Sequence, residues 1–186
     1  MIIAFGLIIL ALTIGLIFLF TSPSLSPVPY FPTNKKDLAL VIEKLQMNNN
    51  QIIYDLGAGD GMVLFEAAKW AKRAKLDTRF IGVEINPILV LILLVRCFFH
   101  PNKKNIHIVL GDMFKIDYRQ FVKNENMESV FYMYISPWYL EKTVNQIRKL
   151  DTPVRIVSYM YAVKSLQHLE EKKMGLHQIT SYHLPK

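Results

Sequence analysis

The chain has 186 residues, a formal net charge of +7 and 52% hydrophobic residues. That length suits one domain of ordinary size. The single cysteine, Cys97, excludes an internal disulfide and fits a reducing compartment, and the five scattered histidines form no Cys/His cluster at ligand spacing, so no metal site is expected.

Residues 2–20 are an unbroken apolar run in which Thr13 is the one polar side chain. A helix rising roughly 1.5 Å per residue can cover the ~30 Å hydrocarbon core over such a run. A signal peptide would begin with a cation, and Met1 to Phe5 has none. The run therefore reads as a single-pass transmembrane anchor over 1–21, with the bilayer as partner through 2–20. Lys35 and Lys36 are the nearest charges, so the positive-inside rule places the remainder in the cytoplasm. Residues 22–33 are rich in Ser and Pro and read as a stiff, extended linker. The rest, 34–186, reads as one folded domain that carries all the charge. A basic surface of this kind suits anionic lipid, an acidic protein or nucleic acid.

Within that domain, Thr33 or Asn34 can cap a helix to about Gln46, with Asp37 favourable in its first turn. Asn48-Asn49-Asn50 is a turn. A strand over 51–56, a helix over 61–74 and a strand over 79–84 follow. Asn86-Pro87 opens the next helix, with proline at an early position. That helix, Ile88 to Phe99, is apolar except for Arg96. At 12 residues it cannot span a bilayer, yet an outer helix should show a polar face. It is expected to be buried, to pack on the anchor or to dip into lipid headgroups. Strands are expected near 106–110, 129–135 and 154–160, with a helix from Tyr139 to Leu150. One or two final strands are expected in 175–185. The alternation predicts an α/β fold, a Rossmann-like doubly wound and mostly parallel sheet.

The densest signal is Tyr54-Asp55-Leu56-Gly57-Ala58-Gly59-Asp60-Gly61 at the end of the first strand, with Glu84 closing the second. Acidic tips on neighbouring strands lie at the carboxyl edge of the sheet, where open α/β sheets bind nucleosides. The glycines let backbone approach a ligand, and Glu84 can accept from both ribose hydroxyls. The dinucleotide pattern Gly-x-Gly-x-x-Gly is not met, since position 62 is Met. A carboxylate at Asp60 would repel a pyrophosphate and suits a cation instead. S-adenosylmethionine, with a sulfonium, an ammonium and no phosphate, fits better than NAD. At a third tip, Gly111-Asp112-Met113-Phe114 offers a carboxylate to an adenine amino group. At a fourth, Ser136-Pro137-Trp138-Tyr139 offers polar and aromatic groups.

Together these residues resemble the class I S-adenosylmethionine-dependent methyltransferases. Pro29-Tyr30-x-Pro32-Thr33, the glycine turn, Glu84-x-Asn86-Pro87 and the apolar N-terminus resemble, more narrowly, the membrane-anchored protein lysine methyltransferases. Those modify the ATP synthase c-subunit or the adenine nucleotide translocase, and archaeal protein lysine methyltransferases share the layout. The resemblance covers about residues 28 to 161. It implies cofactor contacts at Tyr30, Thr33, Asp55, Gly57, Ala58, Gly59, Asp60, Glu84, Ile85, Asn86, Asp112 and Met113. It also implies a protein substrate presenting a lysine. Transfer of a methyl group already activated on sulfur is an in-line displacement in which positioning dominates. Tyr30, Ser136 and Tyr139 are expected to orient the amine or relay its proton, and Trp138 to hold the ammonium on its π face. Two other readings stand beside this one. Ser136 to Tyr139 is similar to the polar-Pro-Pro-aromatic motif of enzymes that methylate amino groups of bases or glutamine, so a nucleic-acid or small-molecule amine is an alternative, though nucleic acid is disfavoured by the anchor. A short C-terminal region also permits a scaffold that keeps the fold without turnover, because methyltransferase sheets usually close with an antiparallel pair.

Overall fold

A computed structural model describes residues 2–21, 31–124 and 126–184. The chain divides into two compact units, Met1–Phe31 and Pro32–Lys186. The first holds α1 (Ile2–Thr21). Side chains in α1 are described at 4–11 and 13–15, a stretch shorter than a bilayer core. Among the described residues no helix is long and apolar enough to cross a membrane, so the transmembrane anchor expected over 1–21 finds no support there. Most of the expected linker, together with Tyr30, lies outside the described residues.

In the second unit, α2 (Leu38–Leu45), α3 (Met62–Arg73), α4 (Pro87–Phe98) and α5 (Pro137–Ile147) alternate with the strands of one seven-stranded sheet. The strands are β1 (Gln51–Leu56), β2 (Arg79–Glu84), β3 (Ile106–Leu110), β4 (Glu128–Met133), β5 (Val154–Tyr159), β6 (Glu170–Met174) and β7 (Gln178–Leu184). Their order is β3-β2-β1-β4-β5-β7-β6. β1 to β5 pair in parallel, while β7 runs antiparallel to both β5 and β6. The expected α/β doubly wound sheet is therefore present. So is a closing antiparallel pair, which removes the reason for reading the chain as a truncated scaffold. The expectation missed β6 because its Glu170-Glu171-Lys172-Lys173 run carries no apolar signal.

The physics of the core is ordinary for this class. All six residues of β1 are buried, as a strand covered on both faces must be. Val63, Leu64, Phe65, Ala67, Ala68 and Ala71 form the buried stripe of α3, and each large apolar side chain there contributes about 1.5–3 kcal/mol by burial. Two boundaries differ from expectation for identifiable reasons. The helix expected from Thr33 or Asn34 begins at Leu38, because the Asn34 carboxamide accepts the Lys36 N–H in a turn and the Thr33 hydroxyl pairs with Tyr132 at 2.7 Å. α5 begins at Pro137 rather than Tyr139, with proline at the position whose N–H a helix does not need.

The strand order reverses at β1, which has β2 on one side and β4 on the other. The carboxyl ends of the parallel strands, Leu56, Glu84, Leu110, Met133 and Tyr159, therefore form one edge, and the crevice at the reversal point opens on it.

Candidate active site

The glycine turn sits at that crevice. Gly57, Gly59 and Gly61 all have positive φ, at 72°, 58° and 78°, a region costly to residues with a Cβ. Two of them do different work. A Cβ on Gly61 would come within 2.5 Å of both Leu93 Cδ2 and Phe65 Cε2, so this glycine lets α4 pack against the start of α3. A Cβ on Gly57 would meet nothing closer than Ile135 Cγ2 at 3.9 Å. Packing does not require glycine there, whereas a ligand lying on the turn would. Gly57 and Ala58 N–H both donate to the Val83 carbonyl, at 2.9 and 3.0 Å, which locks the turn to β2.

Glu84 is buried. One carboxylate oxygen accepts the N–H groups of Ile85 and Asn86, both at 2.9 Å. The other accepts the Gly59 N–H at 2.9 Å. Its expected role toward ribose is thus joined by one not foreseen, a clasp between the tip of β2 and the glycine turn. Asn86 caps α4 by accepting the Ile88 N–H at 2.9 Å, and Ile85 lies half-buried between them.

Asp55 is buried one residue before the end of β1 and accepts the Leu64 N–H at 3.2 Å. Desolvation pushes its carboxyl up to about 7; the Leu64 N–H opposes this, and the negative charges of Glu84 and Asp60 add to it. Asp60 is half-exposed and ion-paired with Arg96 of α4 at 2.9 Å. The Arg96 guanidinium also reaches the Asp60 carbonyl and lies over the Phe65 ring. The negative charge expected at Asp60 is therefore compensated within the protein. Asp112 pairs loosely with Lys115 at 3.7 Å and accepts the Phe114 N–H. Among the described residues, no Lys, Arg or His forms an ion pair with Asp55 or Glu84. The preference for a cation thus comes from these two buried acids rather than from Asp60. An open glycine cradle beside two buried acids without a cationic partner fits adenosine carrying a positive sulfur.

Met113 is buried and its carbonyl accepts the Tyr118 hydroxyl at 2.7 Å. The Phe114 ring packs on Tyr139 at 5.4 Å, with Lys142 Nζ 4.1 Å above it. Ser136 precedes α5 without a side-chain capping bond, so its hydroxyl is not used by the helix. Trp138 is 86% exposed. Thr33 stands at the tip of β4 through Tyr132. Among the described residues no group of His, Cys, Asp and Glu is arranged to hold a metal.

Sequence reasoning passed over a second cluster on the same edge. Asp37, almost fully buried, accepts the Tyr159 hydroxyl at 2.7 Å and the backbone N–H groups of Leu176 and His177 at 2.6 and 3.0 Å. His177 Nδ1 lies 2.8 Å from the Tyr159 hydroxyl. Desolvation raises the Asp37 carboxyl, but the Tyr159 hydroxyl and the hairpin N–H groups outweigh it and hold it below the ordinary carboxylate value. Tyr134 packs edge-on against Tyr159 at 4.9 Å. The signal was present as a repeated Tyr-Met-Tyr, at 132–134 and 159–161, which places like residues at the ends of adjacent strands.

Known proteins match this arrangement. Residues 49–170 match the family described as "Putative methyltransferase". A protein-lysine N-methyltransferase of Saccharolobus islandicus is 33% identical over 90 residues, covering 48% of this chain and 53% of that protein. The human lysine N-methyltransferase of the ATP synthase c-subunit is 27% identical over 104 residues, covering 55% of this chain and 42% of that protein. The chain thus spans about half the length of the curated relatives it matches. Among solved structures, an RNA methyltransferase from Salinibacter ruber in complex with S-adenosyl-L-homocysteine superposes with a TM-score of 0.67 at 19% identity, over 84% of this chain and 95% of that one. An S-adenosylmethionine-dependent O-methyltransferase from Thermotoga maritima gives 0.60 at 12% identity, over 84% of this chain and 68% of that one. At such identities these two speak for the fold alone. With two thirds of its length inside the family match and a cradle that fits the group, the chain belongs to this methyltransferase family, and S-adenosylmethionine is its cofactor.

Proposed function

We propose that this protein transfers a methyl group from S-adenosylmethionine to the side-chain amine of a lysine in a membrane protein or a protein held at the bilayer. The observation that carries the choice of acceptor is its similarity, over about half of its length, to two proteins that are both protein-lysine N-methyltransferases.

The cofactor supplies a methyl group activated on a positive sulfur. The chain's part is to bind, orient and exclude. In this reading Glu84 accepts from the ribose, Asp112 accepts from the adenine amino group, and Gly57 gives the cofactor room at the turn. Ile85, Asn86, Ala58, Met113 and Thr33 shape the surrounding walls. Glu84 favours a cationic ligand, and Asp55, whose carboxyl is raised to about 7, ionises more readily once such a ligand is beside it. On the acceptor side, Ser136 and Tyr139 orient the amine and Trp138, projecting outward, meets the approaching peptide. A lysine has a reference pKa of about 10.4. Desolvation and the neighbouring sulfonium both disfavour its ammonium form, so binding itself promotes deprotonation.

The apolar run 2–20 anchors the enzyme to the bilayer in this reading, with the catalytic unit cytoplasmic. Its composition is the support. Removing residues 1–22 then releases a protein that still binds the cofactor, and loss of folding on truncation argues against a separable anchor.

Incubation with methyl-labelled S-adenosylmethionine and membranes tests the acceptor. The expected result is label in a protein band, recovered as methyl-lysine after hydrolysis; label in RNA or lipid alone contradicts it. One observation favours a second reading. The uncapped hydroxyl of Ser136 beside Tyr139 suits a planar amino group of a base or a small molecule. Unchanged turnover in both Ser136→Ala and Tyr139→Ala removes that mechanism.

A further inference from the structure

Helix α4 buries its apolar surface on one face only. Leu89, Val90 and Leu93 point into the core, and the helix packs on β2 and β3. The other face is apolar too and lies open. Leu91 is 62% exposed, Leu94 50%, Val95 52%, Phe98 66% and Phe99 78%. Positions 91, 94, 95 and 98 recur at helical spacing, so they form one continuous stripe. A stripe of large apolar side chains on a folded domain marks an interaction surface.

The charge around the stripe selects the occupant. Residues 85–111 contain no Asp or Glu, yet they carry Arg96, Lys103 and Lys104. Arg96 is engaged by Asp60. Lys103 and Lys104 are exposed just beyond the phenylalanine end of the stripe, and Lys103 Nζ stands 4.9 Å from the centre of the Phe98 ring. An apolar face ending in aromatic side chains and rimmed by lysines is complementary to acyl chains beneath anionic headgroups. A second copy of the same face would offer these lysines no acid.

We propose that α4 lies in the headgroup layer of an anionic membrane, with Leu91, Leu94, Val95 and Phe98 facing the acyl chains and Lys103 and Lys104 on lipid phosphates. The helix has 12 residues, so it rests on the bilayer rather than crossing it. This contact belongs to the catalytic unit itself and is separate from the apolar run 2–20. α4 begins just after Glu84, at Pro87. Seating it fixes the height of the cofactor cradle above the lipid, which restricts acceptors to groups close to the membrane surface.

The test uses the full chain in vesicles of phosphatidylcholine with or without phosphatidylglycerol. Cys97→Ser removes the native thiol. A polarity-sensitive fluorophore is then attached at Leu94→Cys, or at Asn145→Cys on the exposed side of α5 as a control. The proposal expects a blue shift at 94 with strong quenching by brominated lipid in anionic vesicles, and neither effect at 145. Replacing both Lys103 and Lys104 by Ala should lower the partition constant onto anionic vesicles by roughly fivefold per lysine. Three results overturn the proposal. They are a water-exposed, unquenched probe at 94, a blue shift without quenching (the N-terminal segment of the same chain covers the stripe), and a shift that grows with protein concentration (a second copy covers it).

Discussion

The Glu84 carboxylate at the tip of β2 accepts the Gly59 N–H at 2.9 Å, joining the acidic strand end to the glycine turn of β1. One side chain thereby holds the cradle's shape and supplies its charge. Glu84→Ala should cost folding stability as well as cofactor affinity, because the N–H groups of Gly59, Ile85 and Asn86 all lose their acceptor. The stability loss should be about 2–4 kcal/mol, in the range for leaving buried donors unpaired. Glu84→Gln should keep most of the stability and still lose the cofactor. Thermal unfolding paired with calorimetry separates the two effects, and wild-type affinity in Glu84→Gln contradicts the role toward ribose.

Gly57 and Gly61 should respond differently to alanine. At Gly61 the new methyl overlaps Leu93 and Phe65, so Gly61→Ala should lower stability by about 2–4 kcal/mol through overpacking and the left-handed backbone. At Gly57 the cost should be only the backbone term, about 1–2 kcal/mol, while cofactor binding is abolished. Equal unfolding temperatures in the two variants would refute this division of labour.

Asp55 makes a pH prediction whose direction follows from its raised carboxyl. The unfolded side chain ionises near pH 4, roughly the reference value. Between about pH 4 and 7 the folded protein retains a proton that the unfolded chain has lost. Stability is therefore highest below that window and falls as pH rises through it, by on the order of 4 kcal/mol from this residue. Asp55→Asn should flatten that decline in unfolding curves taken across the window. A cationic ligand favours the ionised form, so cofactor affinity should rise with pH near neutrality and binding should release protons. Calorimetry in buffers of different ionisation enthalpy detects this, and no buffer dependence counts against a cation beside Asp55.

Asp37 should act in the opposite sense. Its carboxyl is held low by Tyr159 and the β6–β7 hairpin, so the stability it gives is present above about pH 4 and is lost as pH falls through its folded value. Gly175 permits the approach, since a Cβ there would overlap Asp37 Oδ1. Asp37→Asn should loosen the hairpin, visible as faster amide exchange at Leu176 and His177, with the β1–β2 amides unchanged. Uniform acceleration across the sheet would instead mean that Asp37 supports the whole fold.

Most of the fold was legible because hydrophobic periodicity and glycine placement are local. β1, β2 and β3 lie where their apolar runs end on Leu56, Glu84 and Leu110, and the Asn86-Pro87 start of α4 is written in two residues. β6 was not legible, because Glu170 to Met174 is held by pairing with β7 rather than by its own pattern. The site was legible in its residue types but not in their partners. Asp60 looked like the source of negative charge, and only the folded chain brings Arg96, 36 residues away, onto it. Asp37 looked like a helix-start acid, and only the returning hairpin shows what it binds. Long-range pairing decides such roles, and one sequence does not display it.

Calorimetric titration of the full-length protein with S-adenosylmethionine and, separately, with NADH tests the central claim most directly. Saturable one-to-one heat for S-adenosylmethionine, absent in Glu84→Gln and absent with NADH, is the predicted result. A protein that takes up NADH and ignores S-adenosylmethionine would contradict the account.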